Sequence, residues 1–371
     1  MPLYHVERAP SLKNRDSGKF GQAFPLTRWS GGAKSLIVDR DTLTDYGFGE
    51  IICQEKTAIR PCERVLMRTL MIGGTRYLGR AIVQDLVQHG YEVTALHRGK
   101  TLGTLPDRVE RLQGDARDRK TLETVLREGR YDLVVDTILN AADLEWCLPM
   151  MARYAGQLVH CGSTGVYASA DRLPTREDDP TPCSLGFEGK RDQDHALLLF
   201  HRKTGFRACS LRVSNVIGPG DVPLDIWGAR NVAYFQRLAD HKEIWVPNDG
   251  RALVQPVHVR DLAWGFRAAA EHQAAAGQIY NLSSERAVTL DAYARMAGEL
   301  LGSRSEFRHV PIEAILATGK ADEGGVRFVC EHMCIDSSKA HKDLGYAPKM
   351  DVRESLRETL EWMTEGGQLR P

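Results

Sequence analysis

The chain has 371 residues, 42% of them hydrophobic, which is enough to bury a full core as one large or two closely joined domains without disulfide staples. Its 49 basic and 49 acidic residues cancel, so overall charge gives no reason to expect nucleic acid or an anionic membrane as a partner and leaves room for a small, locally charged ligand. Eight scattered cysteines, no secretory apolar segment at the start and no apolar run approaching ~18 residues predict reduced thiols in a cytoplasmic protein that does not span a membrane.

Residues 1–66 scatter Gly and Pro among charges, and only Ser35-Leu-Ile-Val38 reads as a strand. Asp39, Asp41, Asp45 and Glu50 argue against a transit peptide, which is poor in acids. Met67-Arg-Thr-Leu-Met-Ile72 is how a chain opening on a parallel strand would begin, so the preceding segment reads as an appendage or a mis-assigned start.

From Met67 onward, short β-branched or apolar runs alternate with stretches of helical period. The spacing predicts strands over 68–72, 91–97, 110–113, 132–137, 157–162 and 207–213, and helices over 77–89, 119–127, 142–154 and 189–203. That alternation specifies an α/β fold, a doubly wound parallel sheet over residues 67–213, with its ligand crevice at the carboxyl ends of the strands. Residues 214–371 read as a smaller mixed α/β lobe interleaved with the end of the sheet. It has helices over 231–239, 261–270, 290–301, 338–344 and 352–363 and strands over 243–246 and 278–282. A lobe so placed shapes a substrate cleft; the alternative is that it only covers the sheet edge.

Ile72-Gly-Gly-Thr-Arg-Tyr-Leu-Gly79 follows the first strand directly and opens the first helix, the context that a phosphate-cradling turn requires. Gly73 suits a tight turn, Gly79 suits close helix–strand packing, and Gly74, Thr75, Arg76, Tyr77 and Leu78 complete the cofactor-binding candidates there. With these residues the chain resembles the extended and atypical short-chain dehydrogenase/reductases, the NAD-dependent epimerase/dehydratase family, whose fold is of the Rossmann type. In that family the turn runs Gly-x-x-Gly-x-x-Gly, whereas here Arg76 replaces the middle glycine. The Gly-Gly-Thr-Arg-aromatic form is similar to an atypical subgroup that includes the chloroplast stem-loop-binding proteins. Arg76 either blocks close approach of the cofactor or holds one of its phosphates by a forked contact, and an otherwise intact loop with one basic residue favours the second.

The resemblance runs from Met67 to Met363 through Gly114-Asp115, Ser163-Thr-Gly-Val-Tyr167, Leu211-Arg-Val-Ser-Asn-Val-Ile-Gly-Pro-Gly220, Val257-His-Val-Arg-Asp-Leu262, Tyr280-Asn-Leu282 and Asp336-Ser-Ser-Lys-Ala340. The second strand ends Leu96-His-Arg-Gly-Lys100. With no carboxylate to meet the adenosine ribose, and with Arg98 and Lys100 present, NADP(H) is favoured over NAD(H); the alternative is a solvated basic loop. Asp115, with Ala116 beside it, matches the family's adenine-contacting acid, unless Asp115 or Asp118 merely caps a helix.

The resemblance also implies a Ser/Thr after the fifth strand and a Tyr-x-x-x-Lys on the following helix, whose tyrosine moves the proton that accompanies hydride transfer. Ser163 matches the first, Thr164 is a neighbour able to substitute, and Lys190 matches the lysine, which would bind the nicotinamide ribose; the tyrosine position holds Gly186. No tyrosine in the chain has a lysine four residues on. A proton must then come from Tyr167, Thr164, His195, water or the substrate. The bland alternatives are that Ser163 and Thr164 cap a turn and that Lys190 is a surface residue.

Asn215 is read as a substrate contact, and Arg212 and Arg327 as partners of a nucleotide-sugar diphosphate, against ordinary ion pairing. Gly218-Pro-Gly220 reads as a turn, and His258 and Asp261 as a strand end and helix cap. Cys330-Glu-His-Met-Cys334 lacks a fourth metal ligand and is read as buried thiols on a strand, with no metal. Together these readings predict an NAD(P)-dependent oxidoreductase or epimerase/dehydratase-type enzyme acting on a carbonyl or carbinol of a small metabolite or nucleotide sugar, and the resemblance implies a homodimer. The alternative is a non-catalytic dinucleotide sensor or RNA-associated protein on the same fold, against which the neutral charge counts where RNA is concerned.

Overall fold

The computed structural model describes residues 67–100 and 104–370, so the strand read at residues 35–38 lies outside the described part. Its centre is a parallel sheet of β1 (Arg68–Ile72), β2 (Glu92–His97), β3 (Glu110–Gln113), β4 (Leu133–Asp136), β5 (Gln157–Ser163) and β6 (Arg207–Val213), joined by a seventh strand, Ile279–Leu282. The order across the sheet is Ile279–Leu282, β6, β5, β4, β1, β2, β3. The winding reverses between β1 and β4, which opens a crevice at that point. Register matters here: Ile72 pairs with both Leu96 and Asp136. The turn after β1, the corner after β2 and the loop after β4 therefore emerge side by side.

Both faces of the sheet are covered, as near-continuous apolar strands require. Alternation along β1 sends Met71 to a core with Ile82, Val83 and Leu86 of α1 (Tyr77–Gln88), and sends Leu70 and Ile72 to another with Leu144 and Leu148 of α3 (Ala141–Tyr154). α2 (Arg119–Gly129) packs Leu122 and Leu126 into the second core, and so does α4 (Glu188–Thr204) with Leu197. The lobe has its own core. Tyr234, Phe235 and Leu238 of α5 (Val232–Ala239) meet Ile244, Tyr293, Leu356 and Leu360 there. α6 (Val259–Glu271) returns to the sheet, where Phe266 joins the α1 side and Arg267 donates to Asp85 at 2.7 Å.

Three features differ from the sequence reading. The segment read at 278–282 pairs with β6 in parallel and extends the main sheet to seven strands. A strand over Phe307–Val310, unread in the sequence, pairs in parallel with Ile244–Pro247, and the helices Ile312–Leu316 and Glu323–Val329 were too short to leave a period. Cys330 and Cys334 are not on a strand: Cys330 ends the Glu323–Val329 helix, and both thiols are only partly buried.

Candidate functional site

The turn after β1 is built on two close approaches. Gly73 has φ +91°, and a Cβ there would stand 2.3 Å from the Thr137 hydroxyl oxygen, while one on Gly79 would stand 2.0 Å from the Gly73 carbonyl oxygen. Gly74 is closely packed too, 2.7 Å separating a would-be Cβ from the Met71 side chain. Arg76 occupies the N-cap of α1 with extended backbone, its side chain does not cap, and the first turn carries no acid. The leading N–H groups of α1 are therefore left without side-chain acceptors, the arrangement that suits an anion. Tyr77 and Leu78 start the helix. The Arg230 guanidinium lies over the Tyr77 ring at 5.5 Å, the Tyr77 hydroxyl is buried without a partner, and burial pushes its phenol up.

Beside this turn is a cavity of about 150 Å³ whose walls include Gly73, Thr75, Ala116 and Ile138, along with Arg76, Arg98 and Lys100. All three cations are exposed, none has an ion-pair partner among the described residues, and no carboxylate lines the cavity. Asp115 lies outside the lining; its Oδ1 accepts from the Arg117 amide at 3.0 Å, while Asp118 caps α2 through the Thr121 amide at 2.8 Å.

At the end of β5, the Ser163 hydroxyl accepts from the Gly165 amide at 3.1 Å and so caps the turn Thr164–Tyr167. Accepting leaves its own proton available to a second partner. Thr164 is buried and donates inward to the Val213 carbonyl at 3.4 Å. Lys190 on α4 donates to the Cys161 carbonyl at 3.1 Å, which brings its ammonium to the end of the strand that carries Ser163. The Cys161 thiol is pushed up to about 11 by burial, against the pull of the Lys190 charge. Gly186 has φ +82° and open space around a would-be Cβ. His195 is exposed on α4.

Two residues expected at the site are committed elsewhere. Tyr167 is 1% exposed, accepts from Arg212 and donates to Asn281 Oδ1 at 2.9 Å; burial pushes its phenol up to about 12, against the Arg212 charge. Arg212 is 3% exposed, with Nε donating to Asp194 at 2.8 Å and its guanidinium 4.9 Å above the Tyr167 ring. Its Nε and Nη1 are committed to Asp194, Tyr167 and the Glu177 carbonyl inside the protein, which leaves little of the guanidinium for a diphosphate. Arg327 lies on a helix surface, half exposed, and pairs with Glu323 at 2.9 Å. Asn215 is half-buried and lines a cavity of about 10 Å³ together with Ile217, Leu224, Asp225, Pro256 and Tyr293, room for about one water molecule.

The sequence reading missed Asp136, His160 and Gln193, all buried beneath the crevice. For Asp136 and His160 the signal is a polar residue interrupting an apolar strand, Leu133-Val-Val-Asp136 and Leu158-Val-His160, whereas Gln193 lies on α4 and has no such signal.

Residues 69–148 and 136–283 match the NAD-dependent epimerase/dehydratase family. Among individual proteins, the chloroplast stem-loop binding protein of 41 kDa b of Arabidopsis thaliana is 28% identical over 310 residues, spanning 79% of this chain and 78% of that one. A UDP-glucose 4-epimerase of Corynebacterium glutamicum is 26% identical over 319 residues, spanning 76% of this chain and 91% of that one. Among solved structures, a dTDP-glucose 4,6-dehydratase of Bacillus anthracis in complex with NAD superimposes with a TM-score of 0.67 at 18% identity, covering 81% of this chain and 98% of the other.

Proposed function

The chain belongs to the NAD-dependent epimerase/dehydratase family, and from that membership we propose that it binds a nicotinamide dinucleotide, NADP(H) in preference to NAD(H), and acts on a carbonyl or carbinol of a small metabolite or nucleotide sugar. The observation that carries this reading is the charge of the cavity beside the glycine-rich turn. Arg76, Arg98 and Lys100 line it with no carboxylate among them. Such a wall attracts a terminal phosphate ester and lacks the acid that would favour an unmodified ribose. The dinucleotide class itself is supported by the family and by the NAD held in the Bacillus anthracis neighbour. The uncapped start of α1 suits a pyrophosphate.

A bound nicotinamide would supply the hydride chemistry, and this chain's own residues would supply position and polarity. Ser163 has a hydroxyl proton to give to a substrate oxygen while its lone pair stays on Gly165. Lys190, held by the Cys161 carbonyl, would fix the ribose on that side. With Gly186 where the family carries tyrosine, and with Tyr167 and Thr164 turned to internal partners, the proton comes from His195, from water or from the substrate. Asn215 is the remaining polar candidate on the substrate side, and the nucleotide-sugar class follows from the epimerase relative.

No helix among the described residues is long and apolar enough to cross a membrane, and the six described cysteines are free thiols, which suits a cytoplasmic setting. A homodimer belongs to the same family reading.

Titration calorimetry of the full chain with NADPH, NADP+, NADH and NAD+ tests the proposal. Micromolar binding of NADPH, weakened about tenfold in both Arg76→Ala and Arg98→Ala while NADH changes little, is the expected result. Failure of every dinucleotide to bind sinks it. Gly186 favours a second reading, a binding protein without turnover that serves as a cofactor sensor or associates with RNA, the Arabidopsis relative being named for stem-loop binding. Salt-sensitive RNA binding without redox turnover would put that reading first.

A further inference from the structure

Beneath the crevice, three buried side chains form one continuous hydrogen-bonded chain across β4, β5 and α4. Asp136 and His160 are 0% exposed and Gln193 is 5% exposed. Asp136 Oδ2 lies 2.7 Å from His160 Nδ1, and His160 Nε2 lies 3.0 Å from Gln193 Oε1. Gln193 Nε2 donates onward to the Leu139 carbonyl at 3.0 Å. The other carboxylate oxygen, Asp136 Oδ1, accepts from the amides of Ile138 and Leu139 at 2.9 and 3.1 Å. Among the described residues, no other side chain bonds to these three.

The segment they hold, Thr137 to Leu139, borders the proposed cofactor cavity. Ile138 is part of its wall, and Thr137 is the side chain against which Gly73 is packed. At the far end, Gln193 stands three residues after Lys190, on the same side of α4. The chain of bonds thus ties the wall of the cavity to the helix that delivers Lys190, by way of the strand that ends in Ser163.

Hydrogen-bond complementarity also fixes where protons reside. Because Gln193 spends its amide N–H on Leu139, the atom facing His160 is its carbonyl oxygen, which can only accept. His160 Nε2 must then donate. Nδ1 faces the Asp136 carboxylate, so both ring nitrogens have a partner inside the protein. Among side chains closed off from solvent, an unmade bond at either end would be costly.

We propose that Asp136, His160 and Gln193 are positioning residues that hold the Thr137–Leu139 wall and the Lys190-bearing helix in the geometry that binds the dinucleotide. The part concerning the dinucleotide rests on the cofactor reading above. None of the three touches the cavity; each acts through the main chain it holds.

The test uses the full chain and its Gln193→Leu and Gln193→Met variants, neither of which can donate to the Leu139 carbonyl. Amide hydrogen exchange at Ile138 and Leu139 is expected to quicken at least about tenfold in both variants relative to β1 amides, and NADPH affinity to fall about tenfold. Folded variants with unchanged exchange and unchanged affinity overturn the positioning role. If the wild type binds no dinucleotide, the cofactor reading falls alone, because quickened exchange at Ile138 and Leu139 still supports the loop-holding role.

Discussion

A Cβ on Gly79 would stand 2.0 Å from the carbonyl oxygen of Gly73, so two stretches of main chain, one in the turn and one in the first helical turn, are in direct contact. No side-chain rotamer can relieve a methyl group placed there, and either β1 or α1 must shift. Gly79→Ala is therefore expected to lower unfolding free energy by about 1–3 kcal/mol, the usual range for overpacking. The same shift disturbs the anion-ready start of α1, so NADPH affinity should fall by about tenfold or more. Urea denaturation and calorimetry check both, and wild-type values in both would refute the close-packing account.

Tyr167 and Arg212 lead to a prediction of the opposite kind, a stability loss with no change at the cofactor. Tyr167→Phe strips a buried acceptor from the Arg212 guanidinium and a donor from Asn281, which should cost about 1–3 kcal/mol. Asp194→Asn leaves the Arg212 charge without its carboxylate and should cost more, about 3–5 kcal/mol. NADPH affinity should hold in folded Tyr167→Phe. A fall in redox turnover without loss of stability would instead make the Tyr167 hydroxyl part of the chemistry.

How much of this was legible beforehand depended on whether the information was local. β1 and β6 were readable to the residue because their apolar runs are bounded by charge or glycine, and the Gly73–Gly79 turn because its position between strand and helix is a sequence property. The seventh strand was legible as a strand but not as a neighbour of β6, from which the whole segment 214–278 separates it. Arg212 reads as an exposed cation, since one residue cannot announce the Asp194 and Tyr167 that enclose it. His160 likewise gains its meaning from Asp136, 24 residues earlier, and from Gln193, 33 residues later.

Gly186 calls for a backbone test, because open space alone suggests that any side chain could be placed there. Nothing lies within 4 Å of a would-be Cβ, yet φ is +82°, where L-residues are strained. Gly186→Ala should therefore cost about 1–2 kcal/mol without any clash, and Gly186→Asn less, since asparagine tolerates positive φ better. Equal stability of glycine, alanine and asparagine at this position, by thermal unfolding, would remove the strain argument. If strain is the cost, Gly186→Tyr restores the family's residue type but pays for it in backbone conformation, so it should be no more stable than Gly186→Ala.

Asp225 makes stability depend on pH in the direction opposite to most carboxylates. It is 2% exposed, its Oδ1 accepts from the amides of Trp227 and Ala229, and its Oδ2 is buried with no partner. Burial raises its carboxyl from an ordinary 3.8 to about 6, because the amide bonds only partly offset the loss of water. The folded chain therefore holds this proton more tightly than the unfolded chain does. Its contribution is most favourable below about pH 4, declines as pH rises to about 6, and stays at its least favourable above that, a difference of about 3 kcal/mol. Asp225→Asn keeps an acceptor for the two amides and has no charge to bury. The stability of the variant relative to wild type should thus rise by about 3 kcal/mol between pH 4 and pH 7.5 in paired urea titrations. A difference that stays flat across that window would mean that the Asp225 carboxylate is solvated or paired in the folded protein.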